Sequence, residues 1–395
     1  MSAERVSQGA RRHVATAALF LVAWQAAVLV DAPHRSGVVL GLYGFVLHTV
    51  AGKGYALVPS YFARTLSHPW APAASLPLLS LGTVGLAVAP FDDIPSVVGI
   101  AGAVCWALGV LVFVGTVGWT VRDNLTGRET GTGEVNTDRR WVDRTANAFV
   151  PVVFAYLVAG AYETVAVSAA LPTLTGRGMA GASHLLAAGV GALLVFAVGF
   201  RLLPRFLVSS PPVVLVIAVL TAGAVGPVLV AGNLWGGTWF RVGAVAESIA
   251  VGGFAIAYIS LFFRSERRRV GLYGPLVGVV MGVVGVALGA HFAFTGGSPG
   301  WSIAHYRLNL LGFLGLTIVG VTYQFYPPAV GTFSGANDRT ALASMGCLAA
   351  GLGVEAYGSL AGFDVGTVVG RFLALIGASL YAYLLLRLFQ ERYGR

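Results

Sequence analysis

The chain is expected to fold as an all-α polytopic membrane protein with about twelve transmembrane helices in three four-helix blocks. Three observations carry that expectation. Of its 395 residues, 56% are hydrophobic and only 10% are charged, with a mean hydropathy of +0.79, whereas roughly a quarter of the residues in a soluble domain are charged. Apolar runs of about twenty residues, long enough to cross a bilayer, recur from end to end. Two polar breaks then divide those runs into three comparable groups.

The first block holds the runs at about 12–31, 37–60, 72–90 and 95–121. The first run follows Arg11, Arg12 and His13, continues past the length of a signal-peptide core and lacks a small-residue cleavage site, so it is read as a retained helix. A polar connector over 122–145, with Glu129, Glu134, Asp138 and the pair Arg139-Arg140, separates it from runs at about 146–171, 178–207, 211–234 and 238–263. The basic break Arg264 to Arg269 leads to the last runs, at about 272–295, 300–328, 337–360 and 365–390. The whole of 1–395 is thus read as one transmembrane domain, with blocks at about 12–121, 146–263 and 272–390. Its 54 glycines suit helices that approach closely in lipid. Cys105 and Cys347 lie inside apolar runs, form no CxxC motif and are read as packing residues.

Basic residues set the orientation. Arg11, Arg12, Arg64, Arg139, Arg140, Arg205, Arg267, Arg268, Arg269 and Arg392 fall on one side of the twelve-span arrangement, and Arg35, Arg177 and Arg241 near the other. Counting charge near helix ends places both termini in the cytoplasm, with the chain integral to the plasma membrane. The net charge of +9 is then a matter of topology and anionic lipid, not of nucleic acid.

Ionisable residues at membrane depth are costly and mark functional candidates. The second run of each block carries one histidine: His48, His184 and His305. The pattern H-x6-G-x7-G covers His184, Gly191 and Gly199 and again His305, Gly312 and Gly320, which suggests a repeat bearing metal or haem ligands. At 1.5 Å per residue, His184 and His305 sit roughly 8–10 Å below the outer helix ends and His48 about 15 Å, so all three are expected to reach one level. Three imidazoles suit copper, zinc or iron alike. Arg307 and Lys53, the only lysine, are read as haem-propionate partners or as ion-pair and snorkelling residues. Glu163, Glu247 and Glu355 are read as proton-relay or ligand-supporting groups, or as neutralisers of Arg307, Lys53 or Arg241. His291 is read as interfacial, and His13, His34 and His68 as loop or helix-end residues.

Twelve helices in three blocks, with histidines on the second, sixth and tenth, resemble the catalytic subunit of the haem–copper oxidase superfamily. His305, Gly312, Gly315, Gly320, Tyr323 and Pro327 are similar to the H-x-H-x4-G-x2-G-x4-G-x2-Y-x3-P run of C-type oxidases. The resemblance implies His305 as axial ligand of a high-spin haem and His184 as a copper ligand. Where that run has its second histidine this chain has Arg307, and the seventh helix lacks the copper-binding histidine pair. A different register, with His305-Tyr306 as the second histidine and its following tyrosine, implies a bis-histidine haem between His48 and His305. By length, helix number and sparse histidines the chain also resembles the NnrS-like haem- and copper-containing membrane proteins.

These readings imply a membrane haem protein with a b-type haem and a second metal such as copper. It would bind or carry out redox chemistry on a diatomic gas, nitric oxide or oxygen, or transfer electrons from a donor protein or a quinol. A proton-pumping terminal oxidase is not expected, and no catalytic residue is assigned. Two rivals stand beside this reading: a metal or ion transporter using the buried histidines and glutamates, and a cofactor-free membrane assembly subunit.

Overall fold

The computed structural model of the chain describes residues 2–296 and 298–394, which are mostly helical with no strand among them. Twelve helices are long and apolar enough to cross a membrane: α1 Ala3–Leu29, α2 His34–Tyr61, α3 Ala71–Val88, α4 Ser96–Val121, α5 Glu134–Ser168, α6 Gly178–Leu207, α7 Val213–Asn233, α8 Thr238–Arg264, α9 Val270–Thr295, α10 Pro299–Val330, α11 Asp338–Ala361 and α12 Asp364–Tyr393. Local chemistry sets several ends. Asn337 caps α11 by accepting from the Thr340 N–H at 2.9 Å, and Gly362 ends it in the left-handed conformation that glycine adopts without strain.

The helices form an outer ring around an inner trio. The apolar stretches of α2, α6 and α10 are 78%, 61% and 72% buried, against 28–50% for the other nine. Around them α1 lies against α12, α3 against α4, α4 against α5, α7 against α8, α8 against α9 and α11 against α12. Tyr156 on α5 closes on α7 by donating to the Ala224 carbonyl at 2.6 Å. The ring turns large apolar side chains such as Leu81, Val214, Ile256 and Phe372 outward, which is the surface a bilayer would cover. Glycine brings the backbones of α9 and α10 together: a Cβ on Gly274 would stand 2.6 Å from the Gly320 Cα, so a side chain at either position would force the helices apart.

All three inner helices share one register. Each contains a π-helical stretch, at Leu40–Val46, Leu185–Ala192 and Leu308–Gly315, and these stretches touch one another pairwise at the centre. The same spacing, L-x3-G-x10-[YF]-x3-P, runs through Leu40, Gly44, Tyr55 and Pro59, through Leu185, Gly189, Phe200 and Pro204, and through Leu308, Gly312, Tyr323 and Pro327. This corrects the register read from H-x6-G-x7-G. The structure pairs Gly189 with Gly312 and brings His184 level with Arg307 rather than with His305.

One other expectation changes, and one contact is added. First, α1 already spans Ala3, so His13 is no helix-end residue; it is fully buried within the bundle. Second, the 122–145 connector is bound to the bundle. Its Asp143 is fully buried and accepts from Arg205 Nη2 at 2.5 Å and Nη1 at 3.1 Å, while Thr132 donates to it at 2.5 Å. Arg201 donates to Asn147 Oδ1 at 2.5 Å and to the Thr130 carbonyl at 2.9 Å, with its guanidinium 4.2 Å from the Tyr61 ring. Arg64 pairs with Asp123 and Glu129 at 3.0 and 2.6 Å and holds the Asp123 carboxyl below its ordinary range. Two arginines that read as topology signals thus also clamp the connector to α2 and α6.

Candidate functional site

A cavity of about 110 Å³ lies among α2, α6 and α10. Because the inner helices share one register, its wall is built in layers, each taking one residue from each helix. Val50, Val195 and Ile318 form one layer, and Lys53, Val198 and Val321 another toward the proline ends. Thr49 and Thr317 supply hydroxyls above them. The Thr49 hydroxyl is taken up by the Phe45 carbonyl at 2.9 Å, and the buried Thr317 hydroxyl has no protein partner. Lys53 is the one charged residue in the wall. Its ammonium stands 4.0 Å from the Phe325 ring and 4.1 Å from the Tyr326 ring, an arrangement in which the ring faces partly replace water.

The three histidines do not converge. His48 belongs with His13 between α1, α2 and α3. Its Nδ1 donates to the Tyr43 carbonyl at 2.9 Å and its Nε2 accepts from Ser80 at 3.1 Å, with the two imidazole centroids 6.0 Å apart. His13 Nε2 donates to the Pro72 carbonyl at 2.9 Å. The expectation of one shared level fails because His48 lies eleven residues before its proline, whereas His184 and His305 lie twenty and twenty-two before theirs. That difference is about 14–16 Å along a helix axis.

His184 and His305 lie on another side of the trio. His184 Nε2 is 3.5 Å from Glu247 Oε2, and both groups are near enough to His305 to act on it electrostatically. The His305 Nδ1 donates to the Gly285 carbonyl of α9 at 2.8 Å. Glu247 is therefore placed as the sequence reading allowed, beside a candidate histidine.

Arg307 occupies a third compartment, between α10, α11, α12 and α1, and Glu355 neutralises it. Arg307 Nε donates to Glu355 Oε1 and Oε2 at 3.1 and 3.0 Å, and its Nη2 to Oε2 at 2.7 Å. The Nη2 also donates to Gln25 Oε1 at 2.8 Å. Arg371 approaches Glu355 at 3.6 Å and pairs with Asp31 at 3.2 Å. Glu163 is fully buried, but it serves the segment before α6, accepting from the backbone N–H groups of Leu174 and Thr175 at 2.6 and 3.1 Å and from the Thr175 hydroxyl. Gln25, Arg371 and Asp143 are polar residues that sequence reading missed, and His13 is one it misplaced. Helical spacing within α1 would have placed Gln25 and His13 on faces that carry buried residues.

The packing bears on the expected haem and metal. Gly312 and Gly315 follow His305 on α10, and the absence of their side chains is what would leave room for a macrocycle beside it. A Cβ on Gly312 would stand 2.7 Å from the Met281 Cβ and 3.0 Å from Leu352, and one on Gly289 would stand 2.7 Å from the His305 ring. Those glycines seat neighbouring side chains. The Arg307 compartment, where a propionate partner was expected, is filled by Glu355, Gln25 and Trp24, whose ring lies 4.9 Å from the guanidinium. Neither the packing beside His305 nor the filled Arg307 compartment leaves room for a haem at those two places. Among the described residues no three His, Cys, Asp or Glu side chains are grouped so as to hold a metal ion. No family model matches the sequence, and no curated protein matches it.

Proposed function

We propose that this chain is a membrane protein that binds a small, weakly polar molecule in the cavity between α2, α6 and α10, with a diatomic gas such as nitric oxide or oxygen as the ligand class. The supporting observation is the cavity itself: about 110 Å³, walled by aliphatic side chains from three helices in register, with Lys53 as its one charged residue. An apolar cavity of roughly 150 Å³ inside a protein stays dry and takes up benzene or xenon. This one has the size for smaller guests, held by dispersion. The Lys53 ammonium adds a field that favours the negative end of a weak dipole. No step in this reading passes through a haem or calls on an electron donor. The basic loops orient both termini to the cytoplasmic side of the plasma membrane, which puts the Lys53 end of the cavity toward the cytoplasm.

Xenon tests the reading. In detergent-solubilised protein, the xenon-129 NMR shift is expected to change saturably with xenon pressure. Val195→Phe, which fills the cavity, is expected to abolish that change, and Val195→Ala to enlarge it. A wild-type shift that varies only linearly with pressure, as it does for detergent alone, would remove the cavity as a binding site. Protein purified after expression with ample haem is expected to show no stoichiometric Soret band. A Soret band that disappears in His305→Ala would replace this reading with the haem one.

A further inference from the structure

We infer that the cavity between α2, α6 and α10 also takes a short unbranched carboxylate, its head at Lys53 and its tail along the aliphatic wall, so that such an acid competes with the small apolar guest. The inference rests on the cavity reading above and adds a second ligand class to the same site. Shape gives the first argument. The wall follows the shared register of the three helices, from the layer of Val46, Gly191 and Leu314 to the layer of Leu57, Leu202 and Phe325. Val46 and Leu57 are eleven positions apart, roughly 16 Å along a helix axis. The cavity of about 110 Å³ is therefore drawn out along the helices, a shape that suits a chain. Its far end is narrow and apolar, since a Cβ on Gly191 would stand 2.9 Å from Leu314 Cδ1.

Charge selects the head group. Arg64, Arg205 and Arg307 each have a carboxylate against them. Among the described residues no carboxylate pairs with Lys53, and no other charge is near enough to act on it. An ammonium beside an aliphatic wall without a counter-ion is costly, and the Phe325 and Tyr326 rings, at 4.0 and 4.1 Å, offset only part of that cost. A monocarboxylate supplies the missing charge at the one charged position of the wall. Chloride would supply the charge and leave the wall uncovered, whereas an alcohol would cover the wall and leave the ammonium unpaired. Size sets the chain. A cavity of roughly 150 Å³ takes up benzene, and butyrate has as many heavy atoms as benzene, with its two oxygens at the Lys53 end.

Xenon reports the competition. The saturable xenon-129 shift of the full chain in detergent is measured against added sodium butyrate, with sodium chloride keeping the ionic strength constant. Butyrate is expected to abolish the shift, half-displacing xenon at a concentration roughly tenfold below that of acetate, because two further methylenes are buried. It is also expected to act at least tenfold below n-butanol, its uncharged analogue. Lys53→Met is expected to reverse that last order, with butanol displacing xenon at lower concentration than butyrate. A saturable wild-type xenon response that butyrate leaves unchanged, or on which butyrate and butanol act equally, would overturn this inference and leave the cavity reading standing. A response that never saturates would remove both.

Discussion

Glu355→Gln is expected to be the most destabilising single substitution among the polar residues, lowering unfolding stability by about 3–5 kcal/mol, the range for breaking a buried ion pair by removing one partner. The carboxylate accepts three hydrogen bonds from Arg307 and faces Arg371 as well, so its loss strands the Arg307 guanidinium and leaves Arg371 with Asp31 alone. Arg307→Met is expected to cost a similar amount, because it strands Glu355. The double variant Arg307→Met with Glu355→Leu removes both charges together. It is expected to recover most of the loss, since apolar replacement of a whole buried pair is often neutral. Denaturant unfolding of wild type, Arg307→Met, Glu355→Leu and the double variant gives the coupling energy directly. Additive losses would show that the two residues act independently.

Asp143→Asn carries the second large effect, about 2–3 kcal/mol. The figure sits below the fully buried range because the Arg205 side chain is 29% exposed and partly screened. Its signature is local. Asp143 joins Thr132 of the connector to Arg205 of α6, so the variant should release the 122–133 segment while the twelve spans remain in place. Limited proteolysis is expected to cut the variant within that segment at least tenfold faster than wild type, with an unchanged helical circular-dichroism spectrum. Equal cleavage rates would mean that the Arg201 and Arg64 contacts hold the connector without Asp143.

The identity of the inner helices is decided by polarity. Helices α2 and α10 contain Lys53, His48, Arg307 and His305, which lipid would not tolerate, so they are enclosed by helices with outward faces of valine, leucine and isoleucine. That much follows from the run of residues. The repeat register was also present in the chain, as the spacing that ends at Pro59, Pro204 and Pro327, but histidine is a poor guide to it. His48, His184 and His305 each fall at a different distance from the proline. The histidine-to-glycine spacing therefore does not coincide with the register that the three helices share.

By itself the sequence determined the all-α class and the twelve spans, because both depend on hydropathy summed over about twenty residues, a local quantity that tertiary contacts do not alter. It also marked Arg307, Glu355, Glu247 and Lys53 as residues that need partners. Only the tertiary structure decided who those partners are. Gln25 lies 282 positions from Arg307 and Glu355 lies 48 away, and no spacing rule within a single helix connects them. The glycines show the same division. Gly312 read as space for a macrocycle because a glycine leaves room, but the chain alone does not say what fills that room. Close packing assigns it to Met281 and Leu352, and in doing so moves the candidate site from the histidines to the axis they surround.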